Sequence, residues 1–263
     1  MDVVLKPVER LLFASGSVLL AEYHCAPDDA LFANSGPTNA HSIVFPLTTT
    51  RIVREGITML ELPTVVTLYN KGVEYSSQAV SREGSHCQWM TLDVELLSLD
   101  EHRPFAQQLI PIDASLVLRQ RRLFRFAQQF DVDALTIEEE CVDIAEQIVG
   151  RHERTGTSAP LIIERTREFL AARFTESLSL AGVASAVGVS AAHLSRAFRH
   201  ATGNTMHQFR EELRLRRALD LLPDFRGDFT RLALDLGFSS HSHFTDRFHR
   251  RFHITPAGFV ESL

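Results

Sequence analysis

The sequence predicts an α+β chain: an N-terminal β-sandwich or barrel, a helical linker, and an all-α C-terminal part with two helix-turn-helix motifs. Three observations predict this class. Short runs rich in Val, Ile, Thr and aromatic residues alternate with turn residues over 15–100, helical spacing of apolar residues begins after Asp113, and one segment near the C-terminus is repeated. We therefore expect three parts, at 1–112, 113–157 and 158–263.

The strand candidates are short and lie between clusters of Gly, Pro, Asn and Ser. They are "HSIVFPL", "RIVREG", "TVVTLYN" and "CQWMTLDV", separated by "NSGPTN", "NKG" and "SREGS". Short strands punctuated by turns favour a sandwich or a barrel. Polar pockets in such folds commonly hold small ligands, so the N-terminal part is a candidate sensor domain.

Two helices are predicted between the β-rich part and the C-terminal part. "IDASLVLRQRRLFRFAQQF" and "ALTIEEECVDIAEQIVGRHER" both carry apolar residues at helical spacing. They could form a linker, a docking pair or a dimer seam. The segment "RTGTSAP", residues 154–160, is small, polar and ended by a proline, and it is the best candidate for a flexible connection.

Composition excludes several classes of protein. The 263 residues are 44% hydrophobic and 23% charged, which is typical of a soluble protein, and no run reaches the ~18 apolar residues of a membrane helix. Charges interrupt the N-terminal apolar runs, so the segment is a poor secretory signal and we expect a cytoplasmic protein. The three cysteines form no CxxC pair, which disfavours a disulfide framework or a zinc ribbon.

Charge is divided unevenly along the chain. Residues 158–263 contain 14 Arg, no Lys and 11 acidic residues, a net charge of +3, whereas residues 1–157 have a net charge of −9. This asymmetry suggests two units with different partners.

The C-terminal part contains an internal repeat. Residues 180–203, "LAGVASAVGVSAAHLSRAFRHATG", match residues 229–252, "FTRLALDLGFSSHSHFTDRFHRRF", with Gly188 aligned to Gly237 and Ser190 to Ser239. After one inserted residue, His193 aligns with His243. In each copy a glycine lets the chain reverse and a serine caps the next helix, which is the helix-turn-helix plan.

With these motifs the sequence resembles the AraC/XylS family of bacterial transcription regulators. The family pattern "IALxxGFxxxSHFxxxFxxxxGxTPxxY" is met by "LALDLGFSSHSHFTDRFHRRFHITPAGF", and the connecting-helix signature by "LRLRRALDLL". The resemblance covers about residues 161–260. Two positions depart from the pattern: His253 replaces a glycine, and Phe259 replaces a tyrosine.

The resemblance implies a transcription factor of the bacterial nucleoid, such as an activator. Its implied partners are double-stranded operator DNA, RNA polymerase, a small-molecule effector and a second copy bound through residues 113–152. The N-terminal part resembles, loosely, the cupin-like effector domains found in this family. The alternatives are a cupin-type metalloenzyme and a DNA-binding protein that needs no effector.

The two motifs predict a DNA-reading surface. A major groove admits one helix, and residues 205–222 would span ~27 Å as a helix, so helices 191–201 and 241–252 could read two successive groove segments. In the first helix we expect Arg196 to read guanine and Arg199 to contact phosphate. Plain surface arginines are the alternative. The predicted exposed face comprises Ala191, Ala192, Ser195, Arg196 and Arg199.

The second helix has phenylalanines every four residues, which predict a buried stripe. Asp246 aligns with Arg196, and it could accept from cytosine N4 or pair with Arg250 one turn along; we favour the pair. Arg250 and Arg251 would suit phosphates. The predicted outer face comprises His241, Ser242, Thr245, Asp246 and His249.

The sequence predicts no metal, cofactor or catalytic residue. His241 and His243 would lie ~200° apart on a helix, so they cannot chelate one ion together. The histidines of the first hundred residues, His24, His41 and His86, are singly placed, and no HxH motif occurs there. A reactive-cysteine role is disfavoured because Cys25, Cys87 and Cys141 have no cysteine neighbours.

Overall fold

The structure is a computed structural model, and it describes residues 9–29, 36–93, 97, 104–106, 108–129, 133–150, 160–225 and 228–263. The chain divides into two compact units. One comprises Met1–Thr155 with Ser262–Leu263, and the other comprises Gly156–Glu261. Most of the candidate linker at 154–160 lies outside the described residues.

Two antiparallel sheets form the β part of the N-terminal unit. Six strands pair in the order β1-β2-β8-β3-β6-β9, and three pair in the order β5-β4-β7. Their bounds are β1 Glu9–Ala14, β2 Val18–Cys25, β3 Ser42–Pro46, β4 Thr50–Arg54, β5 Ile57–Glu61, β6 Val65–Tyr69, β7 Tyr75–Ala79, β8 Ser85–Leu92 and β9 Leu109–Pro111. The quoted strand candidates coincide with β3, β4, β6 and β8.

Side chains at alternating strand positions point to opposite faces of the larger sheet, and buried residues occur on both faces. Ile43 and Met90 are fully buried, and Phe45 packs edge-on against Phe124 of a helix at 5.9 Å between ring centroids. In β8 the alternate residues Cys87 and Trp89 face the other way. Strands covered on both sides have few solvent-facing positions, which explains the apolar runs at the start of β2 and in β3 and β6.

Two helices belong to the N-terminal unit, α1 Ala114–Phe126 and α2 Ala134–Val149. Asp113 and Asp133 cap them, because their carboxylates accept from the backbone N–H groups of Leu116 and Thr136. The two predicted helices are therefore present, and they lie in the same compact unit as the sheets. The division at 1–112, 113–157 and 158–263 stays a prediction.

A chain of polar side chains, buried at its inner end and exposed at Arg10, joins α1 to the larger sheet. Gln120, fully buried, donates from Nε2 to the Gln88 side chain over 2.7 Å, and Gln88 donates to Glu22 over 2.7 Å. Arg10 completes the chain with an ion pair to Glu22 at 2.6 Å. Because buried polar groups need partners, these side chains fix the position of α1 on the sheet.

The described part of the C-terminal unit is helical, with no strand among its residues. Its helices are α3 Leu161–Ala172, α4 Leu180–Val187, α5 Ala191–Thr202, α6 Met206–Leu221, α7 Phe229–Asp235, α8 His241–Phe252 and α9 Pro256–Glu261. The α+β fold class is thus confirmed, whereas the cupin-like character of the N-terminal unit remains a prediction.

Candidate nucleic-acid interface

The two helix-turn-helix copies, α4–α5 and α7–α8, share the same turn. Gly188 and Gly237 both adopt left-handed backbone conformations, with φ of 77° and 81°. Ser190 and Ser240 then cap α5 and α8, accepting from the third residue of each helix over 3.3 and 3.1 Å. The small residues of the repeat, Ala184 and Ala233, are buried in both copies, which permits close helix packing.

The alignment of the two serine caps needs a correction. The sequence comparison paired Ser190 with Ser239, but the residue that caps α8 is Ser240. The inserted residue of the second copy therefore lies before the cap. Ser239 instead forms a hydrogen bond of 3.0 Å with Nδ1 of His243, whose ring packs edge-on against Phe238 at 5.5 Å.

Helix α5 buries Leu194 and Phe198 and leaves a polar face outside. Both apolar side chains are fully buried, as the spacing predicts, while Ala197 is only half-buried. Of the five residues predicted for the outer face, Ala191 is half-buried. The other four are exposed: Ala192, Ser195, Arg196 and Arg199.

Helix α8 buries its three phenylalanines. Phe244, Phe248 and Phe252 stack in sequence, with ring centroids 5.6 and 4.8 Å apart, and none is more than 4% exposed. The predicted buried stripe is therefore present. Its predicted outer face contains one half-buried residue, Thr245, and four exposed residues: His241, Ser242, Asp246 and His249.

Asp246 forms an ion pair with Arg250. Their Oδ1 and Nε atoms are 3.0 Å apart, and the side chains are 49% and 68% exposed. This is the intrahelical pair that the sequence favoured. An exposed pair of this kind contributes little to stability, about 0.3–0.5 kcal/mol, and it can open when DNA approaches. Contact of Asp246 with a base remains a prediction.

Arg251 does not lie on the predicted phosphate-binding face. It binds Glu212 of α6 with two hydrogen bonds of 2.5 and 2.8 Å, and Glu212 also accepts from Arg216 at 2.7 Å. Arg251 follows Arg250 directly in the sequence, but adjacent residues on a helix point ~100° apart. Here the Arg251 side chain points towards Glu212.

The sequence did not predict a role for Glu212 in this region. Burial raises its pKa, but hydrogen bonds and charges from Arg251 and Arg216 outweigh burial and hold the pKa below its usual range. Glu211 lies 3.6 Å from Arg247, which is on α8 like Arg251. The signal in the sequence was the i,i+4 pair within "EELRLRR", which reads equally well as a solvated helix face.

The two copies end differently. Gly203 terminates α5 with φ of 73°, and His253 terminates α8 with φ of 58°. A non-glycine residue in this conformation is uncommon, and histidine is among the residue types that are enriched there. The departure from the family pattern at His253 therefore leaves the helix end intact. Phe259, the other departure, is buried against Phe248.

Groups that could serve an enzyme are sparse in the described part of the chain. No cluster of three or more His, Cys, Asp or Glu there could hold a metal ion. Cys25 and Cys141 are buried, and burial raises the pKa of the Cys141 thiol to about 12, which keeps this thiol protonated. Among the described helices none is both long enough and apolar enough to span a bilayer.

Comparison with known proteins identifies the C-terminal helices. The family described as "Helix-turn-helix domain" matches residues 183–262. The chain is 35% identical over 104 residues to the HTH-type transcriptional regulator GlxA of Rhizobium meliloti (strain 1021). That match covers 40% of this chain and 32% of the relative, so the chain spans about a third of the length of this curated relative.

Two solved structures are also similar. A transcriptional regulator of Chromobacterium violaceum with an AraC-type DNA-binding domain is 32% identical, with a TM-score of 0.36, over 38% of this chain and 89% of that one. ToxT of Vibrio cholerae O395 is 12% identical, with a TM-score of 0.40, over 95% and 99%. The family match assigns residues 183–262 to the helix-turn-helix domains, in agreement with the two copies of the motif that the structure shows in α4–α5 and α7–α8.

Proposed function

We propose that this chain is a sequence-specific, DNA-binding transcription regulator rather than an enzyme. The observation that carries the proposal is the pair of recognition helices, α5 and α8. Both begin at a serine cap after a left-handed glycine, and both expose a polar face opposite a buried apolar one. A single helix-turn-helix would be weak evidence, but two copies with the same turn in one unit are typical of DNA readers.

The connecting helix sets the scale of the DNA site. Helix α6 has 16 residues, which gives a length of about 24 Å. Successive major-groove faces on one side of a duplex are about 34 Å apart. The separation of α5 and α8 is larger than the length of α6 alone, because the widths of the two flanking motifs add to it. One chain therefore reads two groove segments on the same face of the DNA.

The residues predicted for the outer faces of α5 and α8 make the contacts in this proposal. Arg196 suits guanine, because its guanidinium can donate to O6 and N7 together, and Arg199 and Arg250 suit phosphates. Asp246 either accepts from cytosine N4 or keeps Arg250 in place. The remaining contacts come from Ala191, Ala192, Ser195, His241, Ser242, Thr245 and His249.

The proposal includes a small-molecule effector that binds the N-terminal unit and changes DNA binding or self-association. The relevant partners are RNA polymerase and a second copy of the chain, bound through residues 113–152, and the setting is the bacterial cytoplasm. Support comes from the two compact units with different charge and from the named regulators to which the C-terminal unit is similar.

Selection from a random double-stranded DNA library tests the proposal. The full chain should enrich a non-palindromic site with two conserved blocks whose centres are about 10 base pairs apart. The double variant Arg196→Ala/Arg199→Ala is the control, and it should lose the first block while keeping the second. The proposal fails if no sequence is enriched at physiological salt, because non-specific phosphate contacts alone would then explain any binding.

A further inference from the structure

A cavity of about 110 Å³ lies between the two sheets of the N-terminal unit. An engineered protein cavity of about 150 Å³ binds benzene, so this space suits a molecule of about one ring. Four aromatic residues line it, and they are Tyr23, Tyr69, Tyr75 and Trp89.

One wall of the cavity carries an unused hydrogen-bond donor. Trp89 is 7% exposed, and its buried Nε1 has no hydrogen-bond partner in the described part of the chain. A buried N–H without a partner costs free energy, so it is an observation that calls for an acceptor. Ser42, Ser77 and Thr50 also line the space. The hydroxyls of Ser42 and Thr50 already donate, to the Ala40 carbonyl and the Ser85 hydroxyl, so towards a ligand they can only accept.

A carboxylate lies in the opposite wall. Glu61, on β5, accepts a hydrogen bond of 2.5 Å from the hydroxyl of Tyr69. Burial raises the pKa of Glu61, more than the hydroxyls of Tyr69 and Thr67 and the charge of Arg54 lower it. The Arg54 guanidinium is itself already engaged, because it lies over the ring of Tyr69 and donates to the carbonyl of Leu68.

The lining does not suit an anion. None of the described residues that line the cavity is Lys, Arg or His. Two acidic residues, Glu9 and Glu61, do line it. A carboxylate or phosphate ligand would lose its hydration and gain no opposite charge. Burial also raises the pKa of the Tyr69 and Tyr75 hydroxyls, which therefore stay neutral, and the Tyr69 hydroxyl already donates to Glu61.

From this lining we propose that the cavity binds an uncharged, single-ring molecule that bears a hydroxyl or carbonyl oxygen. The oxygen accepts from Trp89 Nε1, the ring packs among the aromatic side chains, and anionic ligands are rejected. The ligand's role as the effector rests on the proposed function, whereas its binding to the cavity does not.

Fluorescence provides a direct readout, because Trp89 is the single tryptophan of the chain. The probes are benzyl alcohol, benzoate and benzylammonium, which share one skeleton and differ in charge, added to the full chain at pH 7.5. We expect benzyl alcohol to change the emission saturably at millimolar concentration, and benzoate to bind at least tenfold more weakly. Free N-acetyltryptophanamide, titrated in parallel, corrects for collisional quenching.

The variant Glu61→Gln identifies the source of the discrimination. It keeps an oxygen that can accept from Tyr69 but cannot ionise, so the part of the preference for alcohol over benzoate that comes from charge on Glu61 should be lost. The control Ile57→Thr changes an exposed residue of the same strand that does not line the cavity, and should leave all three titrations unchanged. Far-UV circular dichroism checks that both variants are folded.

The outcomes separate this site from the DNA-binding proposal. Benzoate or benzylammonium binding as tightly as the alcohol, or no saturable change with any probe up to 20 mM, would overturn the inference. Saturable alcohol binding by a chain that enriches no DNA sequence would leave the cavity assignment standing and refute the regulator. Enrichment of a DNA site without any probe binding would support the regulator and refute the cavity assignment.

Discussion

Helix α5 is held against α6 by aromatic packing, with the rings of Phe198 and Phe209 5.7 Å apart. Helix α8 is instead held against α6 by charge, through Arg251 on Glu212 and Arg247 near Glu211. Aromatic contacts are insensitive to pH and salt, whereas a partly buried ion-pair network depends on both. These contacts of the two copies with α6 therefore differ in how they respond to pH and salt.

The outer faces of the copies differ as well. Arg196 stands exposed on α5, and its structural counterpart Asp246 on α8 is paired with Arg250. An unbound guanidinium is free to meet a guanine edge, while a paired carboxylate must first leave its partner. We infer that the first copy reads sequence more directly and that the second copy contributes more through position and phosphate contact.

The largest effect is expected at Glu212. Glu212→Ala removes three hydrogen bonds, one to Arg216 within α6 and two to Arg251 of α8, and should lower the free energy of unfolding by about 3 kcal/mol. Circular dichroism at 222 nm under urea should report the loss, while Trp89 fluorescence, which lies in the other unit, should keep its midpoint. An unchanged dichroism midpoint would mean that α8 does not depend on this network.

The same network predicts a pH dependence. The pKa of Glu212 is below its usual value in the folded state, so its contribution is complete above the unfolded pKa, about 4.5. It is lost as the pH falls through the lower folded value. The difference in stability between wild type and Glu212→Gln should therefore shrink from pH 6 to pH 3, and a difference that grew with acidity would have the wrong sign.

The next largest effect is expected from a comparison of alanine substitutions at the two turn glycines, Gly188 and Gly237. In Gly188→Ala the new Cβ would meet open space, so the only cost is that of a left-handed backbone at a non-glycine residue, about 1 kcal/mol. A Cβ on Gly237 would instead overlap the Thr175 carbonyl and approach Arg214. Gly237→Ala should therefore cost about 2–3 kcal/mol. Equal shifts in urea midpoint for the two variants would show that the second turn is not packed as described.

Smaller effects test the serine caps. Ser190→Ala and Ser240→Ala should each lower stability by about 1 kcal/mol, because each leaves a helix N–H without its acceptor. Ser239→Ala is the matched control, since this serine hydrogen-bonds to the side chain of His243 rather than to a helix N–H and its loss should cost less. If Ser239→Ala proved the costlier variant, the alignment that the sequence comparison favoured would be the correct one.

The smallest effect on stability is expected at Asp246. Asp246→Asn breaks an exposed pair and should change stability by at most about 0.5 kcal/mol. Its effect on DNA separates the two readings of this residue. A change of preference at one base position indicates contact with cytosine, whereas a uniform change across all sites indicates that Asp246 acts through Arg250.

Much of the C-terminal unit could be predicted from the sequence, because the glycine turns and the phenylalanine stripe are local patterns with a fixed period. The cap at Ser240 could not be, since two adjacent serines offer equal chemistry and only the register of α8 chooses between them. The inward turn of Arg251 depends on Glu212, which lies 39 residues away. Nothing in the local sequence distinguishes an arginine for phosphate from an arginine for a buried carboxylate.

The N-terminal unit was less predictable. Strands β3, β4, β6 and β8 are rich in β-branched and aromatic residues, but β7 reads "YSSQA" and β9 has three residues. Such strands are placed by their neighbours in the sheet rather than by propensity. The cavity could not be predicted from the sequence for a related reason. Its lining is assembled from eight strands, and Trp89 and Glu61 come to line the same cavity only after both sheets have formed.

The most direct test of the two-helix account is to compare DNA selections by wild type, Arg196→Ala and His249→Ala, each as the full chain. Each variant should lose preference within one block of the site, and the two affected blocks should lie about one helical turn apart, with losses of about 1–3 kcal/mol at the bases concerned. Loss of preference at the same positions in both variants, or a uniform weakening without any change of sequence preference, would contradict the claim that α5 and α8 read two successive groove segments.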